Sequence, residues 1–397
     1  MTSNTETKSL LSVRDQYGME AVDAGEQPVD VVMLWTVLAL TALGVVMVYS
    51  SSAVFADELR QDSSFFLKRQ LLSLGLGVAA MLFVSQLRMD ILRKLSAPIF
   101  LAAVVLAVMV LIPGVGMTER GSTRCLPVGP LQMQPAELVK LGLIIYLAAV
   151  LARKRESVRE FKTGFLGPVM IGTVPIILIL AQPDLGTTFL LGAILFLMLF
   201  VAGARISFLM GAVICALPFI WYAISSASYR MRRIMSFLDP WADRQDGGYQ
   251  VVESLISIGS GSVFGVGLGD GKQKLFFLPD AHNDFIFAII GEELGLIGTM
   301  GVIVLFVVLI WRGLRAAFKA EDAFSAYLAV GLTSLLGIQA FVHMSVVTAL
   351  LPTTGLTLPF ISYGGSSLLI CMVAVGLLLA ISRGRGGFLS PAPGDPR

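Results

Sequence analysis

Apolar runs long enough to cross a bilayer recur along nearly the whole chain, and no other feature limits its fold so tightly. A hydrocarbon layer of about 30 Å takes roughly 20 helical residues at about 1.5 Å each, and the backbone inside it must satisfy its own hydrogen bonds. Set against their charged or turn-rich breaks, the runs predict ten spans, at 31–55, 70–87, 97–112, 136–152, 165–181, 185–203, 206–224, 287–311, 327–350 and 366–382. With 56% hydrophobic and 14% charged residues and a mean hydropathy of +0.82, the chain has far more apolar surface than one water-soluble core can bury. The expected fold is an all-α integral membrane protein of about ten transmembrane helices, with one large extracytoplasmic loop, 225–284, between spans seven and eight.

Orientation follows from where basic residues collect. Short connections after even-numbered spans hold Arg88, Arg93 and Lys94, then Arg153, Lys154, Arg155, Arg159 and Lys162, then Arg312, Arg315 and Lys319. By the positive-inside rule these are cytoplasmic, which makes both termini cytoplasmic. A polar tail, 1–29, is expected to be disordered; the membrane domain runs 30–383, and 384–397 forms a second cytoplasmic tail. The first tail lacks the basic start, short apolar stretch and small-residue site of a signal peptide. No fixed-period repeat is evident, and a net charge of +2 spread over loops gives no basis for a nucleic-acid partner. Cys125, Cys215 and Cys371 have neither disulfide nor zinc spacing, and His282 and His343 lie far apart in sequence.

Charged side chains at helix mouths cost free energy unless paired or wetted, yet this chain gathers them there. One cluster is Arg120-Gly-Ser-Thr-Arg124 followed by Gln134-Pro135-Ala136-Glu137 and Lys140. Glu137 and Lys140 are three apart and share a helix face. Two readings stay open: an ion pair at the start of the span, or Lys140 and Arg124 facing a wet cavity and holding an anionic head group such as a pyrophosphate. In Gln182-Pro183-Asp184-Leu185-Gly186-Thr187 the acid suits a helix N-cap better than chemistry.

The long loop holds Arg230, Arg232 and Arg233, then Phe237-Leu238-Asp239-Pro240-Trp241, then glycines from Gly259 to Gly269. Those glycines lack the strand–turn–helix setting and lysine–serine pair of a nucleotide loop, so tight turns and close backbone packing are expected of them. The loop closes on Leu278-Pro279-Asp280-Ala281-His282-Asn283-Asp284-Phe285. Asp284, at a membrane mouth beside apolar Phe285 and Phe287, has the setting of a tunable general base. A helix N-cap is the alternative. Glu292 and Glu293 are expected to hold their helix against basic partners.

Together these motifs, in this order, resemble the SEDS family (shape, elongation, division, sporulation), with Gly291-Glu292-Glu293-Leu294-Gly295 and the stretch from Leu350 to Ser367 added to those above. The likeness spans the first to the tenth span, and the Leu238-Asp239-Pro240-Trp241 motif and the polar N-terminal tail resemble the cell-division branch. Membership implies a peptidoglycan glycosyltransferase that polymerises lipid II at the outer face of the bacterial cytoplasmic membrane during septal synthesis. It implies as partners membrane lipid, other division proteins and a class B penicillin-binding protein transpeptidase of the FtsI type. The family's essential acid maps to Asp284, its functional lysine to Lys140 and its loop arginine to Arg124. The sequence departs from the pattern at Cys125, usually tryptophan, at Ala136, usually serine, at His343, usually asparagine, and at Thr354, usually lysine.

The implied reaction needs a base, positive charge for a departing lipid pyrophosphate, and a groove for a polyprenyl chain. Asp284 is the expected base for the acceptor GlcNAc 4-hydroxyl. The candidate substrate-binding set is Lys140, Arg124, Glu137, Arg230, Arg232, Arg233 and His282. Inversion at the anomeric carbon is implied by the family's substrate and product. A divalent cation, Mg or Mn, is a possible aid to the leaving group, with no ligand set legible. Two other classes stay in view: a lipid II flippase, and a non-catalytic division scaffold.

Overall fold

A computed structural model describes residues 29–119, 122–128, 131–154, 157–242, 244, 248–275 and 277–384. The two tails apart from Val29 and Gly384, and also Arg120 and Arg155, lie outside the described residues. The membrane helices are α1 (Val31–Arg60), α2 (Phe65–Val84), α3 (Met89–Val110), α4 (Pro135–Arg153), α5 (Leu166–Ala181), α6 (Leu185–Val201) and α7 (Ile206–Ser225). After two further helices, α8 (Ser228–Leu238) and α9 (Tyr249–Gly261), come α10 (Ile286–Lys319), α11 (Ala323–Val347) and α12 (Gly365–Ser382). Nine of the described helices are long and apolar enough to cross a membrane, and the 17-residue α6 is apolar but shorter. The ten predicted spans are therefore all present as helices.

Two helices overrun their apolar stretches. α1 is 30 residues, about 45 Å of helix against about 30 Å of hydrocarbon, and α10 is 34 residues with a break inside it. Charged residues such as Asp57, Arg60, Arg312 and Arg315 continue these helices beyond their apolar runs, because helical hydrogen bonding does not require an apolar side chain. Consequently only 61–64 remains between α1 and α2, where the hydropathy pattern predicts a longer loop.

The connection between α3 and α4 departs from the all-α expectation. It forms a small antiparallel sheet, β1 (Met117–Glu119), β2 (Ser122–Val128) and β3 (Leu131–Met133), with Met117 opposite Cys125 and Leu126 opposite Met133. A polar connection of this length satisfies its backbone groups by pairing with itself, which a hydropathy window does not register.

α4, α11 and α12 are buried along most of their surface, from Val139, Leu143 and Ile144 to Leu332, Leu335, Met372 and Val375, with Phe341 the exposed exception on α11. A helix that is apolar all round belongs at the centre, and these three form the core. α7 lies at the edge, with only Leu209 and Ala223 buried and Phe219, Trp221 and Tyr222 exposed, a surface suited to lipid.

α10 is broken at Gly295, whose φ of 65° and ψ of −161° no L side chain adopts readily. The break frees backbone groups that must find partners. The Glu292 and Glu293 carbonyls accept from the amides of Val266 (2.9 Å) and Gly267 (3.1 Å), while the Leu296 and Ile297 amides donate to Ser262 (3.0 Å) and Val263 (3.2 Å). A β-carbon on Gly295 would collide with the backbone nitrogen of Gly265. The glycine-rich stretch thus does the close packing expected of it. It staples α9 and its following turn onto the broken helix.

Candidate active site

The connections 61–64, 111–134, 182–184, 226–285 and 348–364 meet at one end of the bundle. Arg124 reaches the 182–184 turn, Ser366 bonds Gln134 and Gln132, and Gln70 donates to the Ser362 carbonyl. Asp284 is held here from both sides. The Tyr363 amide donates to the His282 carbonyl (3.0 Å), and the Ser362 hydroxyl donates to the Asn283 carbonyl (2.7 Å). Its own amide donates to Asp280, closing a turn (3.1 Å). The N-cap position of α10 falls to Phe285, so Asp284 stands one residue outside the cap.

Asp284 lines a partly enclosed cavity of about 30 Å³ with Arg233, Gln250, His343, Thr353 and Thr354. That is room for one or two water-sized groups. Gly355, at φ +80°, passes so close that a β-carbon there would sit 3.6 Å from Asp284 Oδ2. Across α9 from Gln250, the face carrying Tyr249, Glu253 and Ile256 borders a wider, more open crevice of about 780 Å³ with Arg244, Lys272 and Phe277.

The three neighbouring arginines separate. Arg233 enters the cavity wall and donates to the Thr353 carbonyl (3.3 Å). Arg230 turns back onto α7, donating to the Ala223 carbonyl (2.7 Å) and the Tyr229 hydroxyl (2.9 Å). Arg232 is exposed on α8 and does not line the cavity. A helical turn spreads three near-consecutive side chains over different faces, so one of them meets the site.

Lys140 and Glu137 form the expected pair, 2.8 Å apart, with side chains only 1% and 8% exposed. The ammonium also donates to Gln339 Oε1 (3.0 Å), and the Gln339 amide nitrogen donates to the Thr357 carbonyl (2.9 Å). An ammonium so enclosed has no open face for a pyrophosphate. What it does touch, through Gln339, is the 348–364 connection that walls Asp284. Arg124 donates from Nε to the Gln182 carbonyl (3.2 Å) and from its terminal nitrogen to the Pro183 carbonyl, bracing the α5–α6 turn. In this arrangement it does not line the Asp284 cavity. His282 is buried in a nest of rings, 4.7 Å from Phe66, 5.7 Å from Phe55 and 5.8 Å from Tyr363. His282, one of the candidate substrate-binding residues, packs its ring between α1, α2 and the 348–364 connection.

Asp184 caps α6 as expected, accepting from the Thr187 amide and hydroxyl at 3.0 Å each. Glu292 and Glu293 do hold their helix, Glu293 through a buried bond to Lys274 (2.7 Å) and Ser50 (2.7 Å), Glu292 through the Lys272 amide (2.7 Å). Gln250, His343, Gln339 and Thr353 carry the site without having been assigned a role from sequence. The available signals were the polar stretch following span nine and the departures at His343 and Thr354. Among the described residues, no group of three or more His, Cys, Asp or Glu side chains gathers as a metal cage.

Ten apolar helices with a carboxylate-lined cavity at one bundle end make a polytopic membrane protein. A family model for the cell cycle proteins FtsW, RodA and SpoVE matches residues 31–386, and the chain belongs to that family. It is 45% identical to a probable peptidoglycan glycosyltransferase FtsW of Geobacter metallireducens, over 89% of this chain and 94% of that one. It is 44% identical to stage V sporulation protein E of Bacillus subtilis, over 89% and 97%. Among solved structures it is similar to a chain of a peptidoglycan synthase complex that coordinates polymerization and crosslinking, with a TM-score of 0.75 and 30% identity over 90% of this chain and 98% of that one. Thermus thermophilus RodA gives 0.67 and 29%, over 90% and 97%. The likeness to the FtsW relative therefore exceeds that to RodA.

Proposed function

We propose that this chain is a peptidoglycan glycosyltransferase of the cell-division type, polymerising lipid II into glycan strands at the outer face of the cytoplasmic membrane. The observation that carries the catalytic assignment is the cavity in which Asp284 and Arg233 meet at the bundle end where the long loops gather. Asp284 accepts the proton of the acceptor GlcNAc 4-hydroxyl as its oxygen attacks the anomeric carbon of the donor, with inversion. The bond from that carbon to the pyrophosphate oxygen breaks, and the polyprenyl pyrophosphate leaves with both electrons. Arg233 supplies positive charge beside the reacting groups, while Arg232 on the exposed face of α8 and Arg124 over the α5–α6 turn attract the anionic head group at longer range.

Lys140 and Glu137 act one layer below. Their pair and Gln339 hold the connection that walls Asp284, so they set the carboxylate's surroundings without touching substrate. Asp284, the carboxylate lining the cavity, would hold a Mg or Mn ion together with substrate phosphate oxygens. When bound there it would neutralise charge on the leaving group. The apolar flank at α7 suits the polyprenyl chain. The same reading places both termini in the cytoplasm, the chain at the septum, and a class B penicillin-binding protein beside it.

The test is polymerisation of labelled lipid II in detergent by the purified chain with its transpeptidase partner. D284A and D284N abolish glycan strands while D62N, in the 61–64 turn where Asp62 pairs with Lys68, leaves the rate unchanged. Strands made at the ordinary rate by D284A would remove Asp284 from the mechanism, and no strands from the unaltered complex would leave transport or scaffolding as the function.

A further inference from the structure

α9 does not lie flat on the outer surface. The Ser257 hydroxyl donates to the Ala288 carbonyl (3.1 Å), and a β-carbon on Gly261 would strike the Gly291 carbonyl, so α9 descends beside the first turns of α10. From Ile286 to Glu292 the descent is about 9 Å at about 1.5 Å per residue, which carries the far end of α9 to the boundary between head groups and hydrocarbon. The chain then turns and returns outward through 262–284, with Val263, Phe264, Val266 and Leu268 exposed at the turn.

The crevice of about 780 Å³ lies between the two limbs of this hairpin. Tyr249, Glu253 and Ile256 line it from α9, Lys272 and Phe277 from the returning limb, and Arg244 from the segment before α9. Its volume is that of a small-molecule site. The returning limb is pinned in place, because Glu292 Oε1 accepts from the amides of Lys272 (2.7 Å) and Gln273 (3.3 Å). The Arg244 side chain is 56% exposed and lies 3.7 Å from Glu253 Oε1. Lys272 is exposed, and its ammonium is in no ion pair among the described residues. Among the described lining residues two cations thus face one carboxylate, beside the apolar Ile256 and Phe277. Surplus positive charge next to apolar side chains at head-group depth suits a lipid that carries phosphate.

The reaction proposed above, on which this reading rests, joins two lipid-linked molecules. The donor loses its pyrophosphate, while the acceptor keeps one, two sugar rings away from the hydroxyl that attacks. That retained pyrophosphate stays at the membrane surface and needs a site of its own. α9 links the two places: Gln250 lines the Asp284 cavity, and Tyr249 beside it lines the crevice. We infer that the crevice holds the pyrophosphate of the acceptor lipid II. Lys272 and Arg244 bind its oxygens, and the prenyl chain passes Phe277 into the bilayer. The two sugars then reach outward to Asp284, which stands above the start of α10. An anionic phospholipid offers the same lipid-borne phosphate, and the test separates the two.

Binding is read with fluorescent geranylgeranyl pyrophosphate on the purified complex carrying D284N, so it does not depend on polymerisation. Rates are read on the complex with Asp284 intact. Lipid II lacking the GlcNAc 4-hydroxyl can only donate; with it in excess, the rate against native lipid II reports the acceptor's KM. K272Q, and R244Q/E253Q, which leaves no carboxylate unpaired, are expected to weaken probe binding and raise the acceptor's KM about five- to ten-fold each. Both keep kcat within about two-fold and leave the unfolding midpoint unchanged. K272R retains binding and KM, and K68Q, on α2, changes neither. Unaltered probe binding and KM in K272Q and R244Q/E253Q overturn the inference, as does a rise in the donor's KM alone. Phosphatidylglycerol displacing the probe as well as unlabelled geranylgeranyl pyrophosphate does would make the crevice a phospholipid site. Probe binding to the chain alone that is lost when the transpeptidase is added would make it a protein interface. Should D284A retain activity, the Asp284 cavity is misassigned, an outcome distinct from a silent K272Q.

Discussion

Arg230, Arg232 and Arg233 are interchangeable in composition and unequal in position. Arg233 alone of the three shares the Asp284 cavity, so R233Q is expected to lower kcat/KM of lipid II polymerisation about ten- to a hundred-fold. R230Q, which loses bonds to Ala223 and Tyr229, is expected to change it less than about three-fold. Equal losses in the two variants would refute the division of roles. Lys140 calls for a different experiment, because K140A strands a buried Glu137 carboxylate at a cost of about 3–5 kcal/mol. The double variant E137Q/K140M removes both charges together. If the pair only supports the wall of the site, the double variant folds and recovers much of the activity that K140A loses. Failure of the double variant to polymerise, while folded by its unfolding midpoint, would restore a direct role for the ammonium.

At the scale of elements, the break in α10 is the feature on which the long loop depends. Gly295 cannot take a β-carbon without striking the Gly265 backbone, so G295A is expected to cost about 3 kcal/mol or more and lower the unfolding midpoint accordingly. Substitution at Gly301, where a β-carbon meets nothing within 4 Å, is the matched control. The same junction holds the Lys274–Glu293 pair, with side chains 6% and 0% exposed. K274M leaves a buried carboxylate without its main partner and is expected to destabilise by about 3–5 kcal/mol, whereas K274M/E293Q recovers most of that loss. A double variant no more stable than K274M would show that the pair is not what fixes the loop to α10. These tests bear on the site because α9, which supplies Gln250, is anchored through the junction and through Ser254 to the Val347 carbonyl.

For the whole molecule, the proposed orientation is checked by labelling. Single cysteines at Trp241 and at Arg315, in a background lacking Cys125, Cys215 and Cys371, are exposed to an impermeant maleimide in intact spheroplasts. Trp241→Cys is expected to react and Arg315→Cys to react only after lysis; the opposite pattern would invert the topology and place the cavity in the cytoplasm. The ten helices were legible because burial in lipid writes itself into hydropathy residue by residue, and Asp284 stood out as a candidate because a carboxylate at a span's mouth is costly wherever it occurs. The small sheet around β2 was not, since backbone pairing in a polar connection leaves no apolar pattern. Nor was the enclosure of Lys140, whose partner Gln339 lies 199 residues away. The sequence by itself determined the apolar helices and the family. Only the tertiary structure decided that Arg233 and His343 stand with Asp284 while His282 and Lys140 face inward to protein, because contacts between distant segments depend on helix rotation and loop closure, which no local pattern encodes.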